Sequence, residues 1–156
     1  MRHSHYAVLL VLLLTRVPSS PEVFGQQTDT TAAFPQDTAS SEVRGVALEQ
    51  NFPNPFRRDT RIPFVLGADL FEDGRPVVVS VRIFNVLRQF VAVPTALDHP
   101  SAAGQPAREL RYDRPGEYLL YWDGTDQSGR RVNSGIYFVQ ITAGRSQALL
   151  KIVVSR

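Results

Sequence analysis

Cysteine is absent from the 156 residues. That absence removes disulfides, thiolate nucleophiles, Cys-ligated zinc, iron–sulfur clusters and a lipid-modified cysteine anchor together. A fold without cross-links must be held by its apolar core. Histidine is scarce: His3 and His5 lie ahead of an N-terminal apolar run, which leaves His99 alone for imidazole chemistry. Charge of one sign is lacking too, with 17 basic residues against 15 acidic ones and a formal net charge of +2. The one basic cluster, Arg57, Arg58 and Arg61, is broken by Asp59 and reads as a solvated loop face, so no nucleic-acid partner is expected. No G-x-S-x-G elbow, phosphate-cradling glycine loop or dinucleotide fingerprint is present.

What is there begins with an export signal. Arg2 precedes an unbroken apolar run over residues 7–14, followed by a stretch with Pro18, Ser19 and Ser20. A transmembrane helix needs about 20 apolar residues, so the run is expected to be a cleaved secretory signal, with no membrane span remaining. Val23 and Gly25 are small enough for the −3 and −1 subsites, which places the expected signal at residues 1–25; a cut after Ser20 is the weaker option. Its removal leaves 15 basic and 14 acidic residues, a nearly neutral protein.

Residues 26–42 are rich in Thr, Ser, Ala and Gln and carry no apolar periodicity, so a flexible, protease-accessible linker is expected. Residues 43–156 change character. Short runs of Val, Ile, Phe and Tyr alternate with Gly, Pro, Asn and Asp, the pattern of an all-β domain. Strands are expected at 46–49, 60–66, 77–85, 89–93, 117–122, 135–143 and 146–154, about seven in all, which suits an antiparallel sandwich. Val79, Val81 and Ile83 should face one way and Ser80, Arg82 and Phe84 the other, and Tyr137, Val139 and Ile141 should oppose Ile136, Phe138 and Gln140.

Candidate chemistry is thin. His99, in DHPSAAGQP, could be a general base oriented by Asp98 and serving Ser101, but an exposed loop histidine is the expected state. Asp123 and Asp126 in WDGTDQSGRR could pair as catalytic carboxylates or hold calcium. Their spacing is not that of an EF-hand, and Asp-Gly and Ser-Gly are turn sequences, so backbone capping is preferred. Trp122, Tyr118, Tyr121 and Tyr137 could line a sugar-binding strip, against the commoner role of core aromatics. No catalytic residue, metal or cofactor is expected.

Five blocks then stand together: ALEQNFPNPF at 47–56, TRIPFVL at 60–66, VRIFNVLRQFV at 81–91, GEYLLYWDGTDQSGRRVNSGIYFVQITAG at 116–144 and LLKIVVSR at 149–156. In order and spacing they resemble the type A C-terminal sorting domain of the type IX secretion system, a relative of the immunoglobulin-like domain of flagellar hook-capping proteins. The resemblance covers about residues 46–156. It implies an immunoglobulin-like β-sandwich that folds in the periplasm and is recognised by an outer-membrane translocon. It also implies a sortase-like peptidase that removes the domain and leaves cargo secreted or attached at the cell surface. Within it Asn51, Pro53, Asn54, Pro55, Phe56, Trp122, Asp123, Gly124, Gly129, Gly135 and Tyr137 read as fold signature.

Pro53 and Pro55 lack backbone donors, so NFPNP should be an extended lead-in that cannot pair as a central strand. The terminal run Lys151, Ile152, Val153, Val154 and Arg156 is the candidate recognition element. Ile152 and Val154 can face the core, while Lys151 and Arg156 carry charge that packing does not require. A receptor could read that edge by strand addition. The chain departs from the family at Arg88, where glycine is usual and a different turn is therefore expected, and in the long connection 94–114. Only the linker precedes the domain, so no cargo is identified, and the domain is expected to be monomeric. The competing reading is a non-catalytic adhesion or carbohydrate-binding sandwich.

Overall fold

The computed structural model describes residues 43–156; the expected signal and linker lie outside the described residues. Among the described residues there are nine strands: β1 Val46–Leu48, β2 Thr60–Leu66, β3 Val77–Asn85, β4 Phe90–Ala92, β5 Thr95–Ala96, β6 Leu110–Tyr112, β7 Gly116–Trp122, β8 Gly135–Ala143 and β9 Ser146–Val154. A single turn of 3₁₀ helix, Ala68–Phe71, follows β2. One sheet has the order β1-β2-β7-β5, the other β4-β3-β8-β9, with β6 also paired to β3, and every strand pair is antiparallel. The chain is an all-β sandwich.

Alternation drives the layering. In β3 the residues Val77, Val79, Val81 and Ile83 are buried while Val78 and Arg82 are exposed; in β8 Tyr137, Val139, Ile141 and Ala143 are buried. The opposing sheet contributes Ile62, Phe64, Leu66, Leu120 and Trp122. Each large side chain so buried contributes roughly 1.5–3 kcal/mol. With no cross-links, this shared layer is what holds the two sheets together.

The two strands beyond the expected seven, β5 and β6, lie in the long connection. Thr95 and Ala96 pair with Tyr121 and Leu120 of the first sheet. Leu110 to Tyr112 pair with Val79 to Val77 of the second. The connection therefore straps one sheet to the other, and runs of two and three residues are too short to show a period.

His99 sits in this strap, and the expectation of an exposed side chain is corrected. It is buried, Nδ1 accepting from the N–H groups of Ser101 and Ala102 at 3.1 and 3.0 Å and Nε2 lying 2.9 Å from the Arg111 carbonyl. Its ring contacts Tyr112 with centroids 4.4 Å apart. The imidazole organises the loop backbone.

The β3–β4 turn also answers an expectation. Arg88 has φ of 59°, the left-handed conformation that glycine favours, and Asn85 Oδ1 accepts from the N–H groups of Leu87 and Gln89. The turn thus places an arginine in a backbone conformation that glycine favours. Replacing Arg88 with Gly should raise stability by about 0.5–1 kcal/mol, measured by denaturant titration, because the left-handed penalty outweighs glycine's extra unfolded-state entropy.

Tyr112 is the least satisfied group of the core. It is 1% exposed, between Phe64, His99 and Tyr118, and its hydroxyl has no hydrogen-bond partner among the described residues. Burial, and then the charge of Asp98, hold its proton far above the ordinary phenol range. The unfolded chain releases that proton near pH 10 while the folded chain keeps it, so this contribution is full below about pH 10 and falls as pH rises past it. Tyr112→Phe should add about 1 kcal/mol at neutral pH and flatten the alkaline loss of stability, read from thermal midpoints between pH 7 and 11.

Candidate functional site

The signature residues meet at one end of the sandwich, around the last residues of β9. Pro53 and Pro55 offer no N–H, so side chains supply the bonding that the backbone cannot. Asn51, 2% exposed, donates from Nδ2 to the Pro53 carbonyl at 3.1 Å and to Thr60 Oγ1 at 2.9 Å. Thr60 Oγ1 in turn donates to the same carbonyl at 3.0 Å. Both peptide bonds preceding these prolines are cis. The expected extended lead-in is corrected: the chain bends through Pro53, Asn54 and Pro55, its Pro53 carbonyl drawn back by Asn51 and Thr60, between bridges of Phe52 to Arg61 and Phe56 to Val154.

Asn54 then turns to β9. Its Oδ1 accepts the Val153 N–H at 3.0 Å, the Phe56 N–H donates to the Val153 carbonyl at 3.0 Å, and the Ser155 N–H donates to the Phe56 carbonyl at 2.8 Å. One side chain and one residue of backbone thus cap the end of the terminal strand.

Phe56 anchors this cap. It is 1% exposed and meets Trp122 edge-on at 5.4 Å, while Trp122 meets Tyr137 at 5.5 Å. Trp122 Nε1 donates to the Thr125 carbonyl at 2.9 Å, and the Tyr137 hydroxyl donates to the Asn133 carbonyl at 2.8 Å. Gly124 has φ of 71°, and a Cβ there would stand 3.3 Å from the Phe56 ring and 3.2 Å from the Arg58 carbonyl. Arg131 donates to the Arg57, Arg58 and Asp123 carbonyls, joining the NFPNPF loop to the WDG turn.

Of the candidate recognition residues, only Lys151 and Arg156 are exposed. Ile152 and Val154 are buried in the core, and Val153 is half-buried with its backbone occupied. Beyond Ser146, whose Oγ accepts the Val46 N–H at 2.9 Å, no backbone hydrogen bond from another described residue reaches the rest of the β9 edge. Ala143 and Ser146 close a two-residue turn through Gly144 and Arg145, so Ser146, Ala148, Leu150, Ile152 and Val154 are the residues that exchange hydrogen bonds with β8. Gln147, Leu149, Lys151 and Val153 therefore point N–H and C=O away from it. Occupation of Val153 by Asn54 and Phe56 agrees with this alternation.

The other candidates resolve into scaffold. Asp123 Oδ1 accepts from the Thr125 N–H and hydroxyl, and Asp126 Oδ1 from the N–H groups of Ser128 and Arg130 and the Ser128 hydroxyl. The Ser128 hydroxyl, with the backbone N–H groups, holds the Asp126 carboxyl below its usual range. Gly129 sits in the same turn with φ of 77°. No group of three or more metal-ligating side chains occurs among the described residues. Tyr118, Leu120 and Trp122 face inward, Tyr118 stacked on Phe64 at 5.6 Å, so the four aromatics form no outward strip. Arg57, Arg58 and Arg61 are exposed.

Two features escaped the residue pattern: the Asn54 side chain as a strand cap, and Leu149 as an exposed apolar residue on a free edge, 62% accessible. The alternation of 146–154 contains the second. Nothing local announces the first.

No family model matches the chain, and no curated protein does. Two solved structures are similar. Dimeric latent PorU from Porphyromonas gingivalis aligns at 19% identity and a TM-score of 0.43, over 72% of this chain and 10% of that one. PorZ, a surface component of the type IX secretion system of the same organism, aligns at 20% identity and a TM-score of 0.40, over 77% of this chain and 13% of that one.

Asn54→Ala should lower stability by about 0.5–1.5 kcal/mol, the net worth of one solvent-accessible hydrogen bond. Hydrogen exchange should show faster exchange at Val153 and Ser155 than in the core of β3. Unchanged exchange there would mean that the cap does not hold the strand.

Proposed function

We propose that the sandwich is a C-terminal sorting domain, which directs an attached polypeptide across the outer membrane through a type IX translocon. The observation that carries this reading is the convergence of the resembling blocks. NFPNPF, WDG and the terminal LLKIVVSR are far apart in sequence, yet they meet at the capped end of β9, the first and last through the Asn54–Val153 bond and the first two through Phe56 against Trp122. They hold out an ordered strand end with Lys151 and Arg156 exposed. The likeness to the sorting family in block order and spacing supports the same reading.

In this role the domain performs no catalysis of its own. The translocon reads the C-terminal strand, and a sortase-like peptidase cuts within residues 26–44, leaving the product secreted or at the cell surface after passage through the periplasm. The alternative, an adhesion or carbohydrate-binding module, leaned on Trp122 and Tyr118. Trp122 is 2% exposed and Tyr118 is stacked inward on Phe64, so neither presents a face to a sugar.

The test is a reporter fused between a signal peptide and residues 43–156, expressed in a host with the type IX system. The reporter should reach the surface or medium. Deleting residues 151–156 is uninformative by itself, because it also removes the buried Ile152 and Val154. Reversing the two exposed charges, Lys151→Glu with Arg156→Glu, leaves the core intact and should retain a folded reporter in the periplasm, lowering export about tenfold or more, as expected when complementary charges become like charges. Export equal to wild type would overturn the role assigned to these two residues; failure of the unmodified fusion to leave the periplasm would overturn the sorting function.

A further inference from the structure

The open part of the β9 edge is symmetric about a single residue. Gln147, Leu149 and Lys151 turn their N–H and C=O groups outward, the next such residue, Val153, is capped by Asn54 and Phe56, and before Ser146 the chain leaves through the Gly144–Arg145 turn. Among the described residues three unpaired donor and acceptor sets remain, with Leu149 in the middle.

We propose that this edge joins two copies of the chain, their β9 strands pairing antiparallel about a two-fold axis through Leu149. In that register Leu149 lies opposite the partner's Leu149, and Gln147 lies opposite the partner's Lys151. Each of the three pairs exchanges two N–H···O bonds, since all three positions present both groups on the same side. The sheets β4-β3-β8-β9 of the two copies become one continuous sheet. This is an isologous contact, so it closes at two copies and uses up the β9 edge of each.

Side-chain chemistry selects the same register. Gln147, Leu149 and Lys151 are all exposed on the outer face of the sheet. Leu149 borders a groove of about 390 Å³ whose apolar lining, Phe84 and Phe138, is flanked by Asn85, Arg88 and Gln140, and which the partner's Leu149 would extend across the axis. Each lysine ammonium meets an uncharged amide, so no like charges stand opposite one another. An axis at Lys151 would bring two ammonium groups together and would need the capped Val153. An axis at Gln147 would run the strand into the hairpin turn. Lysine on an edge strand ordinarily discourages pairing; at this position it excludes the wrong alignment instead.

Pairing of two copies occupies the same strand that the sorting role assigns to the translocon, yet it is tested without any secretion machinery. Sedimentation of the full chain over a concentration series should show a weight-average mass rising from that of a monomer towards twice that value. Leu149→Pro removes an N–H that the β8 ladder does not use, so the hairpin is retained while the mass stays monomeric throughout. Gln147→Lys places two pairs of like charges across the axis; it should weaken association roughly tenfold at low salt, with recovery as added salt screens the repulsion. A wild-type chain that stays monomeric at every concentration overturns the proposal, as does a folded Leu149→Pro variant that dimerises like wild type. Should Leu149→Pro unfold, Gln147→Lys decides alone, and association unaffected by that substitution overturns the register.

Discussion

Two prolines two residues apart create a local shortage of backbone donors, and the terminal strand requires partners at the same place. Asn54, between Pro53 and Pro55, meets that need with its side chain, accepting the Val153 N–H, while Phe56 resumes backbone bonding one residue beyond the second proline. The bond is worth about 1 kcal/mol by itself. Its leverage comes from what it aligns. Phe56 is seated against Trp122, Trp122 against Tyr137, and Gly124 leaves room for the ring. Burial of these aromatics stabilises the fold more than the hydrogen bond does, and the hydrogen bond fixes the point along β9 at which they pack.

How much of this was legible depended on length and periodicity. The bounds of β2, β3, β8 and β9 follow from seven- to nine-residue runs of alternating β-branched and aromatic residues with Gly, Pro or Asn near their ends. Strands β5 and β6 have no period to read, and their pairing depends on sheets that only the tertiary fold brings near. The burial of His99 was hidden for a related reason: a polar residue in a loop does not disclose what the loop wraps around. Arg88 is a similar case. The missing glycine there suggested another turn, and nothing in the local pattern disclosed that the arginine itself adopts the left-handed conformation.

The candidate site was legible in its charges and in its inward residues. Ile152 and Val154 follow from alternation, and Lys151 and Arg156 are exposed where the pattern places them. The capping of Val153 by a residue far upstream was not legible, because no periodicity links a loop asparagine to a strand that distant. The same strand is therefore managed in two ways along its length. Its last residues are sealed by a loop, and its middle is left with unused donors and acceptors beside an apolar outer face that includes Phe84, Phe138 and Leu149.

The Asn54–Val153 contact spans 99 residues, almost the full length of the folded part. Bringing such distant residues together is entropically among the most demanding closures available to this chain. A ribosome or membrane channel releases the N-terminal member of the pair long before the C-terminal one. Until residue 153 has emerged, Phe56 lacks its backbone partner and the aromatic cluster has no closing strand. Closure of the cap thus reports that the chain has arrived as far as residue 153, and a product interrupted short of that residue cannot complete the fold.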